Sequence, residues 1–133
     1  MKLEPNVWFD EVVKTYHLIS PHIHHTQLVT CPDLNEELGG RFLFKPESLQ
    51  ITGSFKVRGA LSAISRLSKD ELKRGVIAYS SGNHAQGVAH AAKVFNTPAT
   101  VVMPKDAPER KIANARALGA QVIFYDRRTE SRE

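Results

Sequence analysis

The chain has 133 residues, which is the size of one domain, and a net charge of +4 from 18 basic and 14 acidic residues. Its content of 41% hydrophobic and 24% charged residues is typical of a globular protein, and its basic residues are not interleaved with aromatic ones, which argues against nucleic-acid binding. The single cysteine, Cys31, excludes an internal disulfide, and the absence of a long apolar run or leader segment predicts a cytoplasmic protein with no membrane span.

The N-terminal segment predicts a helix followed by a polar loop. Apolar residues at helical spacing predict a helix over residues 7–18, and Pro21 follows it as a stop signal. His22, His24 and His25 come next, and imidazole is a common metal ligand. No cysteine or carboxylate completes a recognisable ligand spacing, so a solvated polar segment is favoured over a metal site.

The middle of the chain predicts short elements separated by polar segments. A short helix is expected over residues 33–38, closed by two glycines, and a strand over residues 41–45. Apolar residues recur at helical spacing from Val57 onward, which predicts a longer helix. The charged stretch 69–75 is interpreted as a polar linker.

From Val76 onward the pattern becomes regular and alternates strands with helices. The strands are short continuous apolar runs, which indicates an α/β fold with a parallel sheet flanked by helices, covered on both faces and joined by right-handed crossovers. Strands are expected over residues 76–79, 99–103 and 122–125, and helices over residues 84–95 and between Pro108 and Gly119.

One stretch places a lysine, Lys56, between a flexible turn and the start of a helix. Gly53 permits a tight turn, and the hydroxyl of Thr52 or Ser54 can cap the helix. Such a lysine can attack an aldehyde if desolvation or a neighbouring cation such as Arg58 lowers its pKa. The alternative is a solvated lysine in the first turn of an ordinary helix, and this stretch alone favours that alternative.

A second stretch, residues 80–87, follows the first regular strand, at the edge of the sheet where parallel α/β proteins bind ligands. Gly82 lets the backbone approach a ligand, and the N-terminus of the following helix attracts an anion such as a carboxylate. Ser81 or Asn83 could instead cap that helix, which requires no ligand. The glycine patterns of a dinucleotide-binding unit and of a nucleotide P-loop are both absent from the sequence.

Taken together, the two stretches resemble the fold-type II pyridoxal phosphate enzymes, in particular the serine/threonine dehydratase (ammonia-lyase) and serine racemase group. The resemblance extends from about residue 26 to residue 125. The first block, similar to the lysine signature of that group, reads Lys45-x-Glu47-x-x-Gln50-x-Thr52-Gly53-Ser54-Phe55-Lys56-x-Arg58-Gly59-Ala60. The second, similar to its asparagine loop, reads Ser80-Ser81-Gly82-Asn83-His84-Ala85-Gln86-Gly87.

The resemblance implies a role for each matching residue. Lys56 would bind pyridoxal phosphate as the Schiff-base lysine and later take the Cα proton of the substrate, with Phe55 packed beside the cofactor. Asn83 would donate a hydrogen bond to the 3′-oxygen of the cofactor, and in racemase-like members a serine at the position of Ser81 faces Cα opposite the lysine. The pocket for the substrate carboxylate would be lined by Ser81, Gly82, Asn83 and His84.

The implied activity is conversion of L-threonine or L-serine to a 2-oxo acid and ammonia in a homo-oligomer, a dimer or tetramer. Members of the group are much longer, so the chain is expected to be truncated, with residues 1–70 from the large domain and residues 71–133 from the small domain. Their glycine-rich phosphate loop has no counterpart here, so the 133 residues alone are expected to show little activity. A racemase, or a noncatalytic remnant that only folds or associates, are the alternatives.

Overall fold

A computed structural model describes residues 5–131 as an α/β arrangement, with each element named here in chain order. Single 3-10 turns lie at Ser20–His22 and Glu47–Leu49. The helices are α1 (Pro5–Ile19), α2 (Pro32–Glu37), α3 (Lys56–Ile64), α4 (Lys69–Arg74), α5 (Asn83–Val94) and α6 (Glu109–Ala117). The strands are β1 (Val76–Tyr79), β2 (Ala99–Pro104) and β3 (Gln121–Tyr125).

The three strands form a parallel sheet in the order β1-β2-β3, as the apolar runs predict. The register aligns Ala78 with Val101 and Val101 with Val122, so these side chains share one face. On that face Val101 and Met103 of β2 are fully buried. Helices α5 and α6 contact this sheet and each other, so both crossovers cover the same face.

The opposite face of the sheet is open in the part of the chain that the structure describes. Ile77 of β1 and Ile123 of β3 point to it and remain 72% and 45% exposed. The prediction that both faces are covered is therefore wrong for residues 5–131. A sequence with continuous apolar strands does indicate two buried faces, but no helix among the described residues packs on the second one.

Helix α3 joins the core by packing along α5. Val57 and Leu61 of α3 are fully buried, and they meet a face of α5 built from small residues, including Ala85 and Ala89. Small side chains allow the two helix axes to approach closely. This contact attaches the lysine-bearing part of the chain to the sheet layer.

Two predicted elements are wrong. Residues 41–45 do not form a strand, because the only pairing there among residues 5–131 is one isolated antiparallel bridge between Val29 and Phe44. Residues 69–74 form helix α4 rather than a linker. Its N-terminus carries a capping box in which the Ser68 hydroxyl accepts from the Glu71 N–H and the Glu71 carboxylate accepts from the Ser68 N–H.

No helix within residues 5–131 is both long and apolar enough to cross a bilayer.

Candidate functional site

Lys56 is the first residue of α3 and follows a tight turn. Gly53 has φ +68°, a conformation that favours glycine, and its N–H donates to the Gln50 carbonyl at 2.7 Å. The Lys56 side chain is exposed, and its Nζ lies 4.8 Å from the centroid of the Phe55 ring. The amine therefore lies in solvent at the start of α3, in contact with the Phe55 ring, and its role as the cofactor lysine stays a prediction.

The predicted caps of α3 are wrong. Phe55 occupies the N-cap position, and no side chain among residues 5–131 hydrogen-bonds the helix end there. The hydroxyls of Thr52 and Ser54 are instead buried, and neither has a hydrogen-bond partner within the described residues. An unpaired buried hydroxyl costs free energy, so such groups usually serve a bound water or ligand. Both lie within four residues of the lysine.

An ion pair anchors the two ends of the lysine turn to each other. The Arg58 guanidinium donates to both carboxylate oxygens of Glu47, at 2.7 and 2.8 Å, and the Thr26 hydroxyl donates to the same carboxylate at 2.7 Å. These hydrogen bonds, with the charges of Arg58 and Lys45, lower the pKa of Glu47 to about 2. The Lys45 ammonium also donates to the Thr26 carbonyl. The pair fixes residues on both sides of Lys56 by bidentate geometry.

A buried glutamine completes the anchor. Gln50 is 4% exposed, and its carboxamide pairs with the backbone of His24 in both directions, accepting at 2.8 Å and donating at 2.9 Å. Its oxygen also accepts from the Ile51 N–H at 3.0 Å. The turn before Lys56 is thus held to the loop after α1 by side chains rather than by a sheet.

Gly87, in the middle of α5, brings the lysine turn against the asparagine helix. A Cβ on this glycine would lie 3.0 Å from the carbonyl carbon of Lys56 and 3.1 Å from the Val57 nitrogen. These are backbone atoms, so a side chain at this position would force the two helices apart by a few tenths of an ångström, and glycine favours the close approach. Gly87 lies at the end of the second motif but has no predicted role. Its signal is a glycine inside a helix-forming stretch, which indicates a packing or functional reason.

The predicted side-chain cap of α5 is also wrong. Gly82 occupies the N-cap position, and no side chain of the described part of the chain hydrogen-bonds the helix end. Ser80 is the residue used locally, since its hydroxyl accepts from the Gly82 N–H at 3.1 Å. Within residues 5–131, the N–H groups of the first turn therefore have no side-chain acceptor, which leaves them suited to an anion.

Asn83, the first residue of α5, is exposed, and its Oδ1 accepts a hydrogen bond from the Lys111 Nζ at 2.7 Å. It borders a cavity of about 390 Å³ that lies between the lysine turn, α5 and α6. The cavity is lined by Ile51, Thr52, Gly53, Asn83, Gln86, Arg110, Lys111 and Asn114.

The other predicted site residues lie around the same helix start. Ser81 is exposed and Gly82 is half-buried. His84 borders a different groove, of about 290 Å³, with Gly59 and Val88 among its neighbours. The structure thus brings Asn83 to the lysine turn and places His84 on another side of α5, and a common carboxylate pocket for these residues stays a prediction.

The histidines that suggested a metal site have separate contacts. The Nδ1 atom of His24 lies 3.2 Å from the Leu49 carbonyl oxygen, and that of His25 lies 3.1 Å from the Tyr16 hydroxyl. The ring of His22 packs edge-on against Phe95. Within residues 5–131, no group of three or more histidine, cysteine or acidic side chains could hold a metal ion.

Chemically, the site supplies an accessible amine on Lys56, two unpaired hydroxyls within four residues of it in sequence, and N–H groups at the start of α5 that no side chain of the described residues caps. An amine of this kind can bond an aldehyde, while hydroxyls and N–H groups can hold the oxygens of an anionic ligand.

Comparison with known proteins agrees with this chemistry. Residues 19–133 match the family described as pyridoxal-phosphate dependent enzyme. An L-threo-3-hydroxyaspartate ammonia-lyase of Pseudomonas sp. is 48% identical over 125 residues, which are 94% of this chain and 39% of that protein. An L-threonine ammonia-lyase of Thermotoga maritima is 49% identical over 118 residues, which are 89% of this chain and 29% of that protein.

A solved structure of maize serine racemase superposes with a TM-score of 0.87 at 36% identity, and the match covers 92% of this chain and 37% of that one. The chain therefore spans between 29% and 39% of the length of these relatives.

Proposed function

This chain belongs to the family of pyridoxal phosphate-dependent enzymes, and on that premise we propose that it carries the lysine and asparagine side of an ammonia-lyase site. The proposed substrate is a short amino acid with a β-hydroxyl group, such as L-serine, L-threonine or L-threo-3-hydroxyaspartate. Two of these amino acids occur in the names of the ammonia-lyase relatives.

The observation that carries the proposal is the close contact between Gly87 and the backbone of Lys56, which sets the start of α3 against the middle of α5. The turn before Lys56 and Asn83 line the same cavity. Around that contact, the residues fit the cofactor. Lys56 supplies an accessible amine for its aldehyde, and Asn83 supplies a carboxamide at the cavity. The unpaired hydroxyls of Thr52 and Ser54 supply donors for its oxygens.

When bound, pyridoxal phosphate withdraws electrons from Cα of the amino acid, which makes the Cα–H bond acidic. In the proposed reaction Lys56 holds the cofactor and then accepts the Cα proton. The start of α5, with its uncapped N–H groups, orients the substrate carboxylate. The substrate loses its β-hydroxyl as water, and the released enamine takes up water to give a 2-oxo acid and ammonia.

The test labels the lysine. Purified chain is incubated with pyridoxal phosphate, reduced with borohydride to make the lysine–cofactor bond permanent, and mapped by mass spectrometry. We expect the label on Lys56 and its loss in Lys56→Ala, whereas Lys69→Ala, which removes an exposed lysine on α4, keeps it. Label spread evenly over surface lysines would contradict the proposal and favour a noncatalytic remnant.

A racemase is the second candidate, because Ser81 is exposed at the start of the asparagine loop and a serine racemase is among the structural matches. Racemisation returns a proton to the opposite face of Cα, so it needs a second acid, and the Ser81 hydroxyl is the candidate. Chiral chromatography after incubation of the chain with L-serine and pyridoxal phosphate separates the two activities. Formation of D-serine by the native chain but not by Ser81→Ala would favour the racemase. Formation of pyruvate without D-serine would favour the lyase.

A further inference from the structure

We infer that Lys111 of α6 is a positioning residue that fixes the carboxamide of Asn83, with the oxygen toward α6 and the nitrogen free to donate to a ligand. The inference rests on the proposed function, in which that ligand is the cofactor. The direct observation is the 2.7 Å hydrogen bond from the Lys111 Nζ to the Asn83 Oδ1.

The chemistry of the two groups determines the orientation. A lysine ammonium has three donors and no acceptor, so only the oxygen of a carboxamide can face it. The reversed carboxamide would place the NH₂ group of Asn83 against a cation. With its oxygen engaged, the carboxamide presents Nδ2 as a donor on its other side, and the nearby positive charge polarises the amide and strengthens that donation.

The surroundings hold the ammonium in place. Lys111 is half-buried, and its Nζ would lie 3.0 Å from a Cβ placed on Gly82. The lysine side chain therefore packs directly against Gly82, at the N-terminus of α5. One turn further along, the Asn114 carboxamide donates to the Gln86 Oε1 at 3.0 Å, and Gln86 is 8% exposed. Both hydrogen bonds join α6 to α5, and the second lies three residues beyond the first on each helix.

The consequence is that the donor geometry at Asn83 depends on a helix outside both sequence motifs. Without the lysine, the exposed Asn83 side chain can rotate, and either its oxygen or its nitrogen can face the ligand. A cofactor oxygen that accepts a hydrogen bond would meet a donor for only part of the time. We therefore expect Asn83→Ala to weaken cofactor binding by about tenfold, because the donor is lost, and Lys111→Met to weaken it by a smaller factor of about threefold, because the donor is misplaced for only part of the time.

The test has one arm without cofactor and one with it. In the ¹⁵N-labelled chain, the side-chain NH₂ pair of Asn83 is identified by its loss in Asn83→Ala. We expect Lys111→Met to shift this pair strongly, and Lys93→Met, which removes the same charge from the end of α5, to leave it in place. An unshifted pair in Lys111→Met would refute the contact itself, whatever the chain binds.

The second arm measures the Kd for pyridoxal phosphate and the visible absorbance of the bound cofactor. We expect the double variant to bind no more weakly than Asn83→Ala alone. Lys111→Met should fall between Asn83→Ala and the native chain, with an absorbance change in the same direction, and Lys111→Arg should keep the native Kd because it keeps a donor. Additive losses, or native affinity and absorbance in Lys111→Met, would overturn the inference. A native chain that binds no cofactor would refute the proposed function and the cofactor-facing half of the inference, while the NMR arm still decides the contact.

Discussion

Replacing Glu47 by glutamine should destabilise the fold in a pH-dependent way. Glu47 accepts two hydrogen bonds from Arg58 and one from Thr26, and glutamine keeps the shape while removing the charge. The native pKa falls from an ordinary 4.5 to about 2. At about 1.4 kcal/mol for each pH unit, this sets an upper limit of about 3.5 kcal/mol on the stabilisation at neutral pH.

Solvent reduces that limit. The side chains of Glu47 and Arg58 remain 16% and 26% exposed, so the pair is screened in part by water and salt. We therefore expect Glu47→Gln to lower the free energy of unfolding by about 1–2 kcal/mol at pH 7. Because the folded-state pKa is depressed, the carboxylate stabilises the fold fully above pH 4.5, and this contribution is lost as the pH falls towards 2.

The assay is urea unfolding followed by far-ultraviolet circular dichroism at several pH values, with Glu36→Gln as the matched control on the exposed surface of α2. The difference between native protein and Glu47→Gln should be constant from pH 7 to 5 and shrink below pH 4.5. Added salt should reduce it at pH 7. An equal difference at pH 3 and pH 7 would refute the charge argument and assign the loss to packing.

Three further predictions concern the lysine turn, the contact that Gly87 makes with it, and the cap of α4. Gly87→Ala should lower the free energy of unfolding in urea by about 1–3 kcal/mol, because the new Cβ would press on the Lys56 backbone. The control Gly59→Ala should be neutral or raise it by up to about 1 kcal/mol, because no described atom lies within 4 Å of its Cβ. Equal effects of the two substitutions would contradict the close approach at Gly87. Ser54→Ala should leave the cofactor-free stability unchanged or raise it by up to about 1 kcal/mol, because the buried hydroxyl has no partner among the described residues, and a clear loss would indicate a hidden partner. Ser68→Ala should cost about 1 kcal/mol by removing the cap of α4, detected as lower helicity and a lower Tm, and an unchanged Tm would contradict the role of the capping box.

The sheet and the two long crossover helices could be predicted because each is encoded locally. Apolar runs of four to six residues bounded by Pro104, Pro108 and Gly119 indicate strands and helix ends without reference to the rest of the chain. Helix α4 was equally local, and the serine at position 68 with the glutamate three residues later was its signal. The strand expected at residues 41–45 failed for the opposite reason. A strand exists only where a partner pairs with it, and here the partner supplies one bridge.

In the candidate site, too, locally encoded features could be predicted and features that depend on distant residues could not. The lysine and the asparagine could be recognised because their motifs are contiguous, but the contacts that orient them join distant parts of the chain. Lys111 lies 28 positions from Asn83 in the sequence. The atoms that Gly87 approaches belong to the backbone of Lys56, and a backbone contact of this kind cannot be predicted from residue types. The capping predictions failed for a related reason. Hydroxyls next to a helix start are ordinary caps in isolation, and those of Thr52 and Ser54 were freed from that role only by the fold around the turn. Residue types therefore determined which chemistry is present, and long-range packing determined which atoms are left free to perform it.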